Sequence, residues 1–332
     1  MKKHIIDLRV TGTERVGAQC VLLRMVPVEG ALPETAPGQF VQLRVDAQGV
    51  FLRRPISIHD VRGNEIDFLV QVVGEGTAWL GALKVGDTVN AVMPLGKGFT
   101  IEIKNEKLKI KNDGNENQNS PLSSLLRREW GLAPLCGAAA TFSGYSKDPS
   151  RHSPLLVGGG VGVAPLLYLG RVLKERGVRP TFLLGARTKD LLLRLDAFRE
   201  VGEVLVTTED GSMGEKGFVT QHSIFRSGEW RVESGDERSE KRDERNEKGD
   251  ESGETRSEKR DISMIQCCGP TPMMKAVAKL AIERGIACEV SLENRMACGV
   301  GACLCCVQET KEGHKCVCTD GPVFEARELV MG

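Results

Sequence analysis

The sequence predicts a β-barrel followed by a parallel-sheet α/β domain of nucleotide-binding type and a small C-terminal cysteine-rich domain. Three observations carry that expectation. Residues 3–100 hold short apolar runs at 21–26, 40–45, 66–73 and 88–92, separated by the turn signals Pro37-Gly38, Arg62-Gly63-Asn64 and Val85-Gly86-Asp87. From residue 155 onward, apolar runs of strand length alternate with runs of helical spacing. Six of the eleven cysteines crowd into residues 298–318.

Short strands at regular spacing with turn residues between them read as a closed or nearly closed barrel. In the second region, 155–157 is a strand that runs into a glycine-rich turn, and 165–176 is a helix stopped by Gly177. Strands then follow at 181–185, 204–207 and 264–268, with helices at 189–200 and 272–284. Strand–helix alternation of this kind favours a parallel sheet. Two segments interrupt the order. Residues 102–152 mix Asn, Lys, Ser and Gly, and 229–261 are almost wholly charged or small. Neither supports an apolar face, so both read as insertions, the second as a disordered, solvated loop. The expected division is therefore 1–101 barrel, 102–152 insertion, 153–288 α/β domain (with 229–261 looped out of it) and 289–332 cysteine domain.

Length and composition narrow the function classes. A chain of 332 residues is long enough for two or three domains. Forty-five basic and 45 acidic residues give zero net charge, without the basic excess of a nucleic-acid binder. No run of about 18 apolar residues suggests a membrane span. The start, MKKHIIDLRV, turns polar too soon for a signal peptide. A dense cysteine cluster without an export signal points to metal ligation in a reducing compartment, so a cytoplasmic location is expected.

Three groups of residues carry chemistry. Cys298, Cys303 and Cys306 stand in the spacing C-x4-C-x2-C, with Cys316 and Cys318 further on. That is the plant-type arrangement for a [2Fe–2S] cluster, in which two irons need four thiolates. Gly299, Gly301 and Ala302 keep the loop uncrowded, so backbone N–H groups can approach the sulfur atoms. A zinc site from Cys303, Cys306, Cys316 and Cys318 competes with this reading, although zinc ribbons favour two C-x2-C pairs and the second pair here is C-x-C.

The second group is the turn Gly158, Gly159, Gly160, Val161, Gly162, placed between a strand and a helix that Pro165 can open. Nucleotide phosphates meet backbone N–H groups in such turns. Cys268, Gly269 and Pro270 end a later strand, where the switch-point rule also places ligands. By itself Cys268 reads as a small core residue. The third group is Arg54, Pro55, Ile56 and Ser57 on a strand, with the turn Gly74-Glu75-Gly76-Thr77 before a short helix at 78–83. An Arg and a Ser on one strand can hold a pyrophosphate and a flavin edge, yet alone the segment reads equally as an ordinary edge strand.

In this order the groups resemble the ferredoxin–NADP reductase superfamily, and more closely the electron-transfer subunits of NAD-dependent dihydroorotate dehydrogenase. The resemblance is carried by RPIS (54–57), GEGT (74–77), LGKGF (95–99), GGGVGVAP (158–165), LGART (184–188), TEDGSMGEKGFVT (208–220), CGPTPMMKAV (268–277), SLENRMACGVGACLCCV (291–307) and CTDGPVF (318–324). It implies FAD in the barrel, held by Arg54, Pro55, Ile56, Ser57, Val70, Gln71, Val72, Gly76 and Thr77. It implies a [2Fe–2S] cluster on Cys298, Cys303, Cys306 and Cys318, with Cys305 and Cys316 as spectators. NAD would lie at Gly158, Gly159, Gly160, Gly162, Gly269 and Pro270, with Cys268 near the nicotinamide. The implied partner is an FMN-containing dihydroorotate dehydrogenase catalytic subunit, in a heterotetramer of two of each. Electrons from dihydroorotate would pass through the cluster and FAD to NAD⁺, in pyrimidine biosynthesis. A related family offers the rival reading, the small FAD/[2Fe–2S] subunit of an NADH-dependent ferredoxin:NADP oxidoreductase or a sulfide-dehydrogenase-like complex. NAD and NADP are not separated by these residues, since Arg187 and Lys189 could meet a 2′-phosphate.

Overall fold

Six strands close into an antiparallel barrel: β1 (His4–Val16), β2 (Cys20–Pro27), β3 (Phe40–Leu43), β4 (Arg54–Arg62), β5 (Glu65–Gln71) and β6 (Thr88–Leu95). The order around the barrel is β1-β2-β5-β4-β3-β6, and β6 closes it by pairing with both β1 and β3. Inward residues such as Leu8, Val10, Leu23, Ile58 and Phe68 are buried and fill its interior. A short helix, α1 (Glu75–Gly81), adds Leu80 to the same core. The computed structural model describes residues 2–101, 152–226 and 261–330. The expected insertions at 102–152 and 229–261 lie outside these, apart from His152 and Asp261, which open strands.

The second half is a seven-stranded sheet built from β7 (His152–Gly159), β8 (Thr181–Ala186), β9 (Glu203–Thr208), β10 (Glu215–Lys216), β11 (Asp261–Cys268), β12 (Cys288–Ser291) and β15 (Val323–Glu325). Its order is β10-β9-β8-β7-β11-β12-β15, parallel except for β15, which pairs antiparallel with β12. Helices α2 (Ala164–Glu175), α3 (Leu195–Val201) and α4 (Thr271–Glu283) connect the strands. The helix expected over 189–200 is corrected. A single 3-10 turn at Lys189–Leu191 comes first, and α3 starts only after Arg194. Arg194 takes a left-handed backbone with φ of 59°, which a right-handed helix cannot contain.

The cysteine-rich segment does not form a core by itself. It contributes β15 to the large sheet and otherwise forms the hairpin β13 (Val307–Thr310) and β14 (Gly313–Cys316). So short a segment buries too little surface to stand alone, and its buried Cys306, Val317 and Cys318 share one apolar cluster with Leu155, Val157 and Phe40. Among the described residues, no helix is long and apolar enough to cross a membrane.

A buried charge cluster joins the barrel to α2. Asp60 and Asp67 face each other across β4 and β5. Arg171 grips Asp60 with two near-parallel bonds (Nε to Oδ1 2.9 Å, Nη2 to Oδ2 2.8 Å), and Arg62 donates to Asp67 at 2.7 Å. One residue before Asp60, the buried His59 places Nδ1 2.8 Å from the Ala164 carbonyl at the start of α2. Burial, aided by the Asp60 charge, pushes Asp67 up to about 6, while burial pushes His59 down to about 4.

These shifts oppose each other. The Asp67 contribution is present below its ordinary value of 3.8 and is lost as pH rises through about 6. The His59 contribution is present above its ordinary 6.5 and is lost as pH falls toward about 4. Asp67→Asn removes only the first slope. Its unfolding midpoint is therefore expected to fall more steeply than that of the wild type on acidification from pH 6.5 to 4.5. A shift of this size corresponds to roughly 2–3 kcal/mol across the window. Thermal unfolding of both proteins through that range checks the sign.

Candidate functional site

The sheet order creates a crevice at the carboxyl ends of the parallel strands. From β7 the chain first builds outward through β8 and β9, then returns to place β11 on the other side of β7. Ligands of open α/β sheets sit at such a reversal. A cleft of about 750 Å³ lies there, lined by Gly159, Gly160, Gly185, Phe218, Pro270 and Met273 among others. A 3-10 turn at Gly160–Val163 leads from β7 into α2, and Pro165 stands in the helix's first turn. Gly160 has φ of 55° and open space beside it. Gly162 is jammed against the other strand end: a Cβ there would lie 2.5 Å from Gly269 N and 2.8 Å from the Cys268 carbonyl carbon. This contact holds the two expected nucleotide turns against each other.

The lining of the cleft includes Arg187, Asp190 and Glu209, whereas Lys189 is absent from it. Two carboxylates against one guanidinium suit a ribose 2′-hydroxyl better than a 2′-phosphate.

A smaller cavity of about 270 Å³ adjoins the first and shares Gln71 and Val161 with it. Its walls bring together Pro55, Ile56 and Ser57 of β4, Cys268 at the end of β11, and Glu293 and Met296 from the segment after β12. Cys268 pairs in register with Ser291 and accepts a hydrogen bond from its side chain. Burial, reinforced by the Glu293 charge, pushes the Cys268 thiol far up, so it stays neutral at physiological pH. Burial also raises the Glu293 carboxyl. Glu293 escaped the sequence reading as a site residue, although it lies inside the quoted SLENRMACG string. Its position just past a parallel strand end was the available signal.

The other expected flavin residues divide by what their side chains do. Val70 points into the barrel core, so only its backbone faces outward. Val72 packs against that core, with a methyl group 3.0 Å from where a Cβ on Gly81 would sit. The Arg54 guanidinium lies over Gly76, in the space a Cβ would fill, and donates to the Leu52 carbonyl at 3.0 Å. Thr77 secures the turn beneath it: its hydroxyl accepts from Val73 N at 2.9 Å and Gly74 N at 3.1 Å, and donates to Gly74 O.

The cysteine loop follows directly. Cys298 and Cys303 lie close enough to influence each other, as do Cys306 and Cys318. Among the described residues, no three His, Cys, Asp or Glu side chains converge on a single metal position. Two pairs of thiols are instead what a two-iron group requires, two sulfur ligands to each iron. The Val300 N–H donates to Cys298 Sγ at 3.4 Å, and it is the main cause that lowers this thiol to about 6. Cys306 Sγ accepts from Cys318 N at 3.4 Å. Burial, with the Cys306 hydrogen bond, raises Cys318 to about 12 in the thiol form. Cys305 turns away, with Sγ 3.6 Å from the Arg295 carbonyl. Cys316, at the end of β14, is half-buried and close enough to Cys306, Cys298 and Cys303 for their charges to raise it further after burial. Gly299 (φ 69°) and Gly301 (φ 87°) both need the left-handed region.

Comparison with known proteins agrees with this layout. Residues 293–330 match the family model described as the iron-sulfur cluster binding domain of dihydroorotate dehydrogenase B. Over 313 residues the chain is 33% identical to the dihydroorotate dehydrogenase B (NAD(+)), electron transfer subunit of Shouchella clausii (strain KSM-K16), covering 92% of this chain and 91% of that one. The protein of the same name from Caldanaerobacter subterraneus subsp. tengcongensis is 32% identical over 300 residues, covering 89% and 87%. Among solved structures, the NADH-dependent reduced ferredoxin-NADP oxidoreductase superimposes with a TM-score of 0.65 and 27% identity, covering 97% of this chain and 89% of that chain. The ferredoxin reductase of carbazole 1,9a-dioxygenase, at TM-score 0.54 and 17% identity over 86% and 67%, shares the fold alone. With a third of its residues identical over nine-tenths of its length, the chain belongs to the family of dihydroorotate dehydrogenase B (NAD(+)) electron transfer subunits.

Proposed function

We propose that this chain carries electrons from a dihydroorotate-oxidising, FMN-containing catalytic subunit to NAD⁺ in the cytoplasm, in a complex of two subunits of each kind. The observation that supports this best is the small cavity, bounded at once by Ser57 of the barrel, Cys268 of the nucleotide sheet and Met296 of the cysteine segment. When bound, a [2Fe–2S] cluster exchanges single electrons, FAD accepts them, and NAD⁺ takes them away as hydride.

The residues fit these groups. Cys298, Cys303, Cys306 and Cys318 would hold the cluster as two thiol pairs. Arg54 would neutralise the FAD pyrophosphate, the Gly76–Thr77 turn would accept it closely, and Ser57 and Gln71 would meet the ring. The turns at Gly158, Gly159, Gly160 and Gly162 and at Gly269–Pro270 would receive NAD⁺. Cys268, neutral and buried, would exclude water beside the nicotinamide without itself exchanging a proton. Glu293 lines the same cavity and would set its local charge.

The rival reading, a small subunit of an NADH-dependent ferredoxin:NADP oxidoreductase, is kept in view by the 27% identical structure that covers 97% of the chain. The partner and its electron donor separate the two. Stopped-flow bleaching of the bound flavin is expected to proceed at least tenfold faster with NADH than with NADPH. Dihydroorotate should bleach it only when an FMN-containing partner co-purifies. A preference for NADPH would overturn the NAD assignment, and a ferredoxin-linked partner would replace this reading with the rival.

A further inference from the structure

Gln42 lies on β3 with 0% exposure, and neither its amide nitrogen nor its amide oxygen has a partner among the described residues. A buried amide left this way is destabilising unless a bound group satisfies it. Its surroundings say which group. A Cβ on Gly299, the residue after Cys298, would lie 2.8 Å from Gln42 Nε2 and 2.7 Å from Gln42 Cγ. The amide therefore presses on the cysteine loop at the point where the chain has no side chain to obstruct it. On its other side the strand is fixed: Gln42 pairs in register with Pro55, and its carbonyl accepts from Arg53 at 3.3 Å. Two residues earlier, Phe40 lines the small cavity together with Pro55. Gln42 thus stands between the wall of the expected flavin cavity and the cysteine loop.

From this geometry we infer that Gln42 is a positioning residue for the iron–sulfur group, donating a hydrogen bond from its side-chain amide to sulfur on the Cys298 side of the cluster. The inference rests on the cluster reading proposed above. A neutral NH₂ donor stabilises the form carrying more negative charge, so it favours the one-electron-reduced cluster. It would hold the potential up on the side that faces the flavin and so ease electron arrival there. The left-handed Gly299 is then required twice, for its backbone and for the space the amide occupies.

The test uses the full chain, purified anaerobically, with iron content measured first and the cluster midpoint read by EPR-monitored redox titration. Gln42→Leu keeps the volume and removes the donor. It is expected to keep its iron and to shift the reduced-to-oxidised ratio at a fixed ambient potential about tenfold toward oxidised, a fall of about 59 mV for one electron. Gln42→Glu, which replaces the donor by a carboxylate, should lower the midpoint at least as far. Full iron with an unchanged midpoint in Gln42→Leu overturns the inference and leaves the cluster reading standing. A second measurement needs no variant: wild-type protein labelled with side-chain ¹⁵N-glutamine should show a nitrogen hyperfine coupling to the reduced cluster. Its absence overturns the inference even if Gln42→Leu fails to fold. A wild-type chain that binds no iron overturns the cluster reading and this inference together.

Discussion

Replacement of Cys306 or Cys318 by Ser is expected to remove nearly all iron and the associated visible absorbance, whereas Cys305→Ser leaves both near wild-type levels. The contrast follows from where each thiol points. Cys306 and Cys318 are 2% and 0% exposed and touch each other, so neither a solvent ligand nor a nearby loop movement can substitute for a lost thiolate. A serine hydroxyl at neutral pH is a hard, protonated donor, while iron–sulfur clusters are held by thiolates. Cys298→Ser and Cys303→Ser should fail in the same way, although these two are more exposed. Cys298 also sits among backbone N–H donors that favour its thiolate. Cys316→Ser is the discriminating case. The thiol is near the other cysteines, and their charges, with that of Asp320, raise it further after burial. Iron content and low-temperature EPR of the reduced protein decide the set. Full occupancy in Cys318→Ser together with loss in Cys316→Ser would show that the fourth ligand is Cys316.

Gly162→Ala is expected to raise the KM for NADH by tens of fold while FAD and iron content stay near normal. The added methyl would overlap Gly269 and approach the Cys268 carbonyl carbon at 2.8 Å, and all of these are backbone atoms that no rotamer change can move aside. The two strand ends must then separate, at about 1–3 kcal/mol of overpacking. A tenfold loss of binding is about 1.4 kcal/mol, so a few tenths of an ångström at this point are enough. The barrel residues Arg54 and Ser57 lie on a different element, so flavin retention distinguishes a local nucleotide defect from general unfolding. Unchanged NADH kinetics would mean that the nucleotide does not use this turn.

Most of the architecture was legible in the residues. Short apolar runs with turn residues between them marked β2, β3, β5 and β6 to within a few positions, whereas β1 matched no run. The strand–helix alternation after residue 155 marked the parallel sheet. The helix expected over 189–200 was misplaced because Leu191, Leu195 and Phe198 fall at helical spacing, whereas Arg194 takes a left-handed backbone that pattern does not encode. The C-terminal cysteine domain was legible from its cysteine spacing, and the family match over residues 293–330 agrees with it. Its contribution of β15 to the sheet is a long-range pairing without a local signal.

By itself the sequence determined the order of the chemical groups and the family, because cysteine spacing and glycine turns are local patterns whose meaning depends on few distant contacts. Tertiary structure alone decided which of those groups meet. The approach of Gly162 to Gly269, the cavity that joins Ser57 to Cys268 and Glu293, and the contact of Gln42 with Gly299 each span from about a hundred to more than two hundred residues of chain. The orphaned amide of Gln42 shows why. In FVQLRV it is one polar residue in a strand, indistinguishable from a solvated one. Burial against the cysteine loop exists only once the barrel has closed and the last strands have packed beside it, and it is burial that makes an unpaired amide informative.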